Sequence, residues 1–364
     1  MLATGSARPP TGAEVEVRDL EVSYGVGAPV VSGLNLRIGP GEFVTLLGAS
    51  GSGKTTILRV VAGFLRAASG QILVDGSDIS QTPIHKRDMG MVFQSYALFP
   101  HLSVEKNVAF PLEMRKVPTA DRRELVKSAL RAVHLEGFAA RKPSALSGGQ
   151  QQRVAFARAI VASPRVLLMD EPLGALDRRL RESLQLEMLR LSRERGLTVI
   201  NVTHDQEEAM TMSDKVALLA DGRVAQYGTP QELYQTPANS AVAEFLGESN
   251  IFRGSVVADG GQSWFVSAGS RFMIGRDLLP REQAALVVRP QDLRLTASAT
   301  PGMTGFRAEV VETIYRGDSV KVLLKTDDDR PLVARCASSL APRVGDWVNA
   351  EWSMSDAHLT DSVG

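Results

Sequence analysis

The chain has 364 residues and a formal net charge of zero at pH 7, with 41 Lys and Arg against 41 Asp and Glu. Hydrophobic residues are 44 % and charged residues 23 % of the total. That composition excludes a largely disordered chain, and the charge balance excludes a global basic field for nucleic acid. At roughly 150 residues per domain, the length predicts about two domains.

Residues 1–12, rich in Ala, Gly, Pro and Thr, carry Arg8 but no apolar run, which predicts a flexible tail rather than a signal peptide. From Ala13 to Gly247 short apolar runs alternate with longer helical patterns, which predicts an α/β domain with a mainly parallel sheet. Phe43 to Leu47, Arg165 to Met169 and Thr198 to Val202 are predicted buried strands. Lys54 to Phe64, Arg122 to His134, Gln151 to Val161 and Arg179 to Arg195 are predicted helices. Residues 248–364 lack long helical patterns. Phe252 to Val257, Ala285 to Val288, Arg307 to Ile314, Val320 to Lys325, Leu332 to Cys336 and Trp347 to Trp352 alternate instead, with Asp327 to Asp329 at a hairpin tip. They predict a small all-β module. No apolar run approaches the roughly 20 residues of a membrane span, so the expected location is cytoplasmic. The lone Cys336 excludes an intramolecular disulfide and a cysteine-cluster metal site, and the five His show no ligand spacing.

Three patterns carry chemistry. Gly48, Ala49, Ser50, Gly51, Ser52, Gly53, Lys54 and Thr55 match G-x-x-x-x-G-K-[ST] between a predicted strand and helix. Glycines let successive backbone N–H groups turn toward phosphate oxygens, and the helix N-terminus adds its positive end. Lys54 would reach the β- and γ-phosphates, and the Thr55 hydroxyl would bind Mg²⁺. The apolar run from Val166 to Met169 ends in Asp170 and Glu171, at the strand end where ligands bind in open α/β sheets. Alone, such a pair reads as a turn or cap; beside a phosphate loop, Asp170 becomes a Mg²⁺ ligand and Glu171 the residue that orients the attacking water. Finally, Leu146-Ser147-Gly148-Gly149-Gln150 opens another predicted helix, a second anion-binding arrangement.

Two phosphate-binding loops with one carboxylate pair suggest a nucleotide shared between subunits. At this point the chain resembles the ATP-binding-cassette ATPases, a P-loop NTPase family with an LSGGQ signature loop. The resemblance implies a helical subdomain over about residues 95–162. It also implies that Tyr24 stacks on adenine, that Thr56 joins the ATP site, and that Gln94 contacts Mg²⁺ and the water. His204 would contact the γ-phosphate, with Lys54, Gln94 and Glu171 as catalytic partners. Ser147, Gly148, Gly149, Gln150 and Asp177 would act on the ATP of the partner subunit in a homodimer.

The β-rich remainder is similar to the OB-like TOBE module appended to ATPase subunits of binding-protein-dependent importers. The matching pieces include Val288 to Leu295, Val311 to Asp318 and Val344 to Val348. The resemblance implies two separate permease subunits and, indirectly, a solute-binding protein. It places the chain peripherally on the inner face of the membrane, without inserting and without nucleic acid. Phe245 to Ile251 leans toward the spermidine/putrescine group; ferric iron, sugar, sulfate or thiamine importers are the alternatives, and a soluble non-transport ATPase a further one.

Overall fold

The structure is a computed structural model that describes residues 12–362 apart from 26, 175, 176, 276 and 277. The expected tail over residues 1–12 lies outside the described residues except for Gly12. The chain forms two compact units, divided between Pro230 and Gln231.

In the first unit the strands are β1 (Val15–Val22), β2 (Val31–Ile38), β3 (Phe43–Gly48), β4 (Ser69–Val74), β5 (Ser77–Asp78), β6 (Met89–Val92), β7 (Val166–Asp170), β8 (Thr198–Thr203), β9 (Lys215–Ala220) and β10 (Arg223–Gly228). The helices are α1 (Lys54–Ala62), α2 (Val104–Met114), α3 (Thr119–Ala132), α4 (Gly148–Ile160), α5 (Arg178–Glu194) and α6 (Gln206–Met212). One sheet runs β10-β9-β3-β8-β7-β6, with β3, β6, β7, β8 and β9 parallel and β10 an antiparallel edge. A second sheet, β2-β1-β4-β5, is antiparallel. The sequence pattern did not separate it, because its strands interleave in the chain with those of the parallel sheet.

The central parallel strands β3, β7 and β8 are buried on both faces, as such sheets require, while the edge strand β6 is half-buried on one face. Strand alternation then splits the core in two. Leu167, Met169 and Val199 pack into one cluster with the apolar faces of α2 to α5. Val166, Leu168, Ile200 and Val202 pack into another, with α1 and the antiparallel sheet. Only helices and short turns lie between β6 and β7, the stretch read as a helical subdomain.

Among the described residues, the second unit holds α7 (Pro230–Gln235, which straddles the division), α8 (Ser240–Phe245) and ten strands: β11 (Asn250–Asp259), β12 (Gln262–Ser267), β13 (Ser270–Gly275), β14 (Arg281–Val288), β15 (Arg294–Thr296), β16 (Thr304–Tyr315), β17 (Val320–Thr326), β18 (Pro331–Cys336), β19 (Trp347–Trp352) and β20 (Ala357–Asp361). They make two five-stranded sheets, β13-β12-β11-β14-β20 and β15-β19-β16-β17-β18. Phe252, Phe272, Phe306 and Trp352 meet between them; the Phe252 and Trp352 rings stack at 5.3 Å. The division precedes Gly247, where the sequence pattern changes. Arg289 donates to the carbonyls of Tyr234 and Ala243, and Thr360 donates to that of Pro237, so the segment from α7 to α8 belongs with the β module.

Among the described residues, no helix is long and apolar enough to cross a membrane.

Candidate functional site

Four neighbouring strands of the parallel sheet, β3, β8, β7 and β6, end on the same side, as parallel strands must. The phosphate loop follows β3, Asp170 closes β7 with Glu171 next, His204 follows β8, and Gln94 lies just beyond β6. Residues far apart in sequence therefore meet along one sheet edge.

The loop needs its glycines. Gly53 caps α1 with φ +96, a left-handed conformation that costs a side chain but not glycine. A Cβ on Gly48 would lie 2.4 Å from the carbonyl oxygen of Leu219. Lys54 is 5 % exposed, and its Nζ donates to the carbonyls of Gly48 at 2.8 Å and Ala49 at 2.7 Å, with Ser52 Oγ at 3.4 Å. The loop thus wraps its own cation where phosphate oxygens would dock. Burial pushes the Lys54 ammonium down from its ordinary value, against the pull of Glu171 and Asp170.

Thr55 Oγ1 donates to Asp170 Oδ1 at 3.1 Å. Asp170 is 7 % exposed, and burial pushes its carboxyl up, against the Thr55 hydrogen bond. Glu171 sits at φ +43, unusual for a side-chain-bearing residue and costing about 1–3 kcal/mol where it occurs. Its N–H donates to Val202 of β8 at 2.9 Å, which fixes that turn. Gln94 Nε2 donates to Glu171 Oε2 at 2.9 Å, and His204 Nδ1 lies 3.1 Å from Glu171 Oε1. Both carboxylate oxygens are therefore oriented, each keeping a lone pair for a further donor.

An open cavity of about 500 Å³ is lined by Val30, Ser50, Gly51, Gly53, Lys54, Thr55, Thr56, Gln94, Glu171 and His204. Tyr24 is 56 % exposed, with its hydroxyl 3.2 Å from Thr56 Oγ1, so it is a surface ring beside the cavity and not a core aromatic.

The remaining expected residues lie elsewhere. Ser147, Gly148, Gly149, Gln150 and Asp177 do not line this cavity. Ser147 caps α4 in a reciprocal box: Gln150 N–H donates to Ser147 Oγ at 3.4 Å, and Ser147 N–H to Gln150 Oε1 at 3.0 Å. Asp177 caps α5, accepting from Leu180 N–H at 3.0 Å. Ala175 and Leu176, which precede Asp177, lie outside the described residues. Gly149 is buried, and a Cβ there would lie 2.8 Å from Leu180 Cδ2, so a larger residue would have to push the Leu180 side chain of α5 aside.

Two buried residues brace the site without showing in any motif. Arg158 of α4 donates to the carbonyls of Tyr96 and Ala97, both at positive φ, just beyond Gln94. Glu208 of α6 is 2 % exposed and accepts from Asn201 and Thr203 of β8. Each is a charged residue at a helix position that faces the core. That is the one sequence signal that could have singled them out.

The donor set suits a hard divalent cation. Thr55 hydroxyl, Asp170 carboxylate and Gln94 amide offer oxygen, and the described residues hold no group of three or more His, Cys, Asp or Glu arranged to bind a metal ion by themselves. One carboxylate with neutral oxygens, the rest coming from phosphate and water, is how proteins hold Mg²⁺.

The ABC transporter family model matches residues 31–174, and the TOBE domain model residues 286–359. The spermidine/putrescine import ATP-binding protein PotA of Clostridium novyi is 41 % identical over 352 residues, 96 % of this chain and 98 % of that protein. Its counterpart in Hahella chejuensis is 45 % identical over 310 residues, 84 % and 85 % of the two chains. Among solved structures, a dimeric ATP-binding cassette in a post-hydrolysis state with ADP and Pi aligns at TM-score 0.54 and 32 % identity, over 59 % of this chain and 98 % of that one. CbiO1 of Clostridium perfringens, part of an ABC transporter complex, aligns at TM-score 0.57 and 33 % identity, over 60 % and 89 %.

Proposed function

The chain belongs to the ATP-binding subunits of ABC transporters, and on that premise we propose that it powers polyamine import, hydrolysing ATP as one of two identical subunits docked on two permease subunits. A solute-binding protein would deliver spermidine or putrescine to the permeases, and the ATPase would sit on the inner face of the membrane. The solute assignment follows the names of its relatives, PotA of Clostridium novyi and of Hahella chejuensis.

The observation that carries the catalytic reading is the convergence of Gln94 and His204 on the two oxygens of Glu171, beside Lys54 and Thr55. ATP would lie with its phosphates in the loop from Gly48 to Thr56 and its adenine against Tyr24. Lys54 would exchange the carbonyls of Gly48 and Ala49 for β- and γ-phosphate oxygens. Thr55, Asp170 and Gln94 would hold Mg²⁺, which supplies charge neutralisation as the γ-phosphoryl leaves. Glu171 would accept a hydrogen bond from the attacking water, its direction set by Gln94 and the turn at φ +43. His204 obeys a proton rule. With Nδ1 donating to Glu171, a neutral ring leaves Nε2 as an acceptor, which repels phosphate oxygen. The ring must therefore carry both protons to bridge Glu171 and the γ-phosphate, or else leave Glu171 as the nucleotide seats.

Glu171→Gln tests this reading. The amide preserves size and packing but cannot take the water's proton. ATP affinity should stay within about threefold of wild type, and steady-state turnover should fall by about 100-fold or more. Near-normal turnover would overturn the role. Uptake of labelled spermidine by cells carrying the chain and its permeases, lost with Glu171→Gln, tests the solute.

A further inference from the structure

Among the described residues the His204 side chain bonds to Glu171 alone, and it is 63 % exposed. Packing on the ring therefore does little to aim it. Its aim comes from the backbone, where the Thr203 hydroxyl ties the turn to the buried Glu208 carboxylate and Asp205 caps α6. Thr203 Oγ1 donates to Glu208 Oε2 at 3.0 Å and accepts from Asp205 N–H at 3.0 Å. Asp205 Oδ1 accepts from Glu208 N–H at 3.1 Å. Asn201, two residues up β8, donates through Nδ2 to Glu208 Oε1 at 3.0 Å. Asp205 Oδ2 is also paired with Arg181 of α5 at 2.8 Å.

We propose that Glu208 is a positioning residue for catalysis, its carboxylate holding the Thr203 hydroxyl that in turn braces the N–H of Asp205, so that the His204 ring between them meets Glu171. The proposal rests on the catalytic reading of His204 above. A helix seldom buries a carboxylate unless hydrogen bonds compensate it, and among the described residues those to this side chain come from β8. Glu208 is thus placed to hold the His204 turn as well as to fasten α6 to the sheet. The role needs an acceptor for the Thr203 hydroxyl more than it needs a charge. Glu208→Gln supplies that acceptor through its carbonyl, and its amide would face Asn201. The Oδ1 atom of Asn201 is buried without a hydrogen-bond partner and could accept after a flip of that amide.

The test is a double-mutant cycle in the full chain with a spectroscopic arm. His204→Ala should lower kcat by about 100-fold with ATP affinity retained. Thr203→Val and Glu208→Met, which break the Thr203–Glu208 bond from opposite ends, should each lower kcat roughly tenfold, with KM for ATP within about twofold of wild type. Glu208→Gln should recover to within about threefold. Added to His204→Ala, neither Thr203→Val nor Glu208→Met should slow turnover by more than about twofold, because the group they aim is gone. Without nucleotide, the imidazole ¹⁵N signal lost in His204→Ala should shift in Thr203→Val and stay in place in Glu208→Gln. If Thr203→Val and Glu208→Met slow His204→Ala as much as wild type, Glu208 serves the fold alone and the proposal fails. If His204→Ala turns over normally, the reading of His204 is wrong, and the imidazole signal then decides whether Glu208 aims the ring. Should Glu208→Met not fold, Thr203→Val carries the cycle.

Discussion

Glu208 illustrates how one buried side chain sets a measurable pH dependence. Burial pushes its carboxyl from 4.5 up to about 7, against the hydrogen bonds from Asn201 and Thr203. The folded state then holds a proton that the unfolded chain has lost, so stability falls with rising pH between those values. The contribution is fully present below about 4.5 and gone above about 7. Between pH 5.5 and 8 it amounts to about 2 kcal/mol. Glu208→Gln cannot titrate, so its stability relative to wild type should improve by about that amount over the same interval. All three Trp lie in the second unit, so far-UV circular dichroism during urea unfolding, rather than Trp fluorescence, should follow the first. A wild type and variant that track each other across the interval would mean that Glu208 titrates normally.

Helix starts decide how a shared nucleotide site can be tested. The obvious lesion in the loop opening α4 is Gly149→Asp, but its Cβ would press on Leu180 and confound charge with packing. Ser147 is exposed and serves as the helix cap, and Asp caps a helix about as well as Ser. Ser147→Asp therefore keeps α4 intact while adding a carboxylate where a partner's phosphate would dock. Such a chain should bind ATP within about threefold of wild type and hydrolyse it poorly. Lys54→Ala, which removes the cation from the phosphate loop, should lose about tenfold or more in ATP affinity. In mixed dimers of the two, one composite site carries both lesions and the other neither. Activity should return toward half that of wild type if one intact site suffices. Mixed dimers that form yet stay as slow as the parents would sink the shared site.

At the scale of the molecule, the division between Pro230 and Gln231 determines where the chain can be cut. A cut after Gly247 leaves α7 and α8 without the β module. Leu233, Val242 and Ala243, all 2 % exposed or less in the full chain, would lose that cover, together with the bonds from Arg289 and Thr360. Residues 1–230 hold every residue proposed here to act on ATP. That shorter chain should stay soluble and retain measurable ATPase, whereas residues 1–247 should aggregate more on heating. Light scattering and phosphate release on both would check this, and a soluble 1–230 chain that cannot bind ATP would show that the second unit completes the site.

Much of this protein was legible in the residues themselves. The phosphate loop, the Asp170–Glu171 pair and the Ser147 loop are local signals, because each chemistry needs particular residue types at fixed spacing on one turn. Three of the parallel strands, β3, β7 and β8, showed as apolar runs because both their faces are buried, whereas β6 and β9, with partly exposed residues, did not. The antiparallel sheet did not, since β1, β2, β4 and β5 pair across gaps that periodicity does not see. Nor did β12, β13 and β20, whose mixed polar patterns follow from half-buried faces. Only the tertiary structure brought Gln94 and His204 onto one carboxylate, because strand order in a sheet is not written in chain order. It alone revealed Arg158 and Glu208, whose worth lies in the carbonyls and hydroxyls of other elements. And it alone showed that α7 and α8 belong with the β module: a helix announces its own apolar face, but not the surface that will cover it.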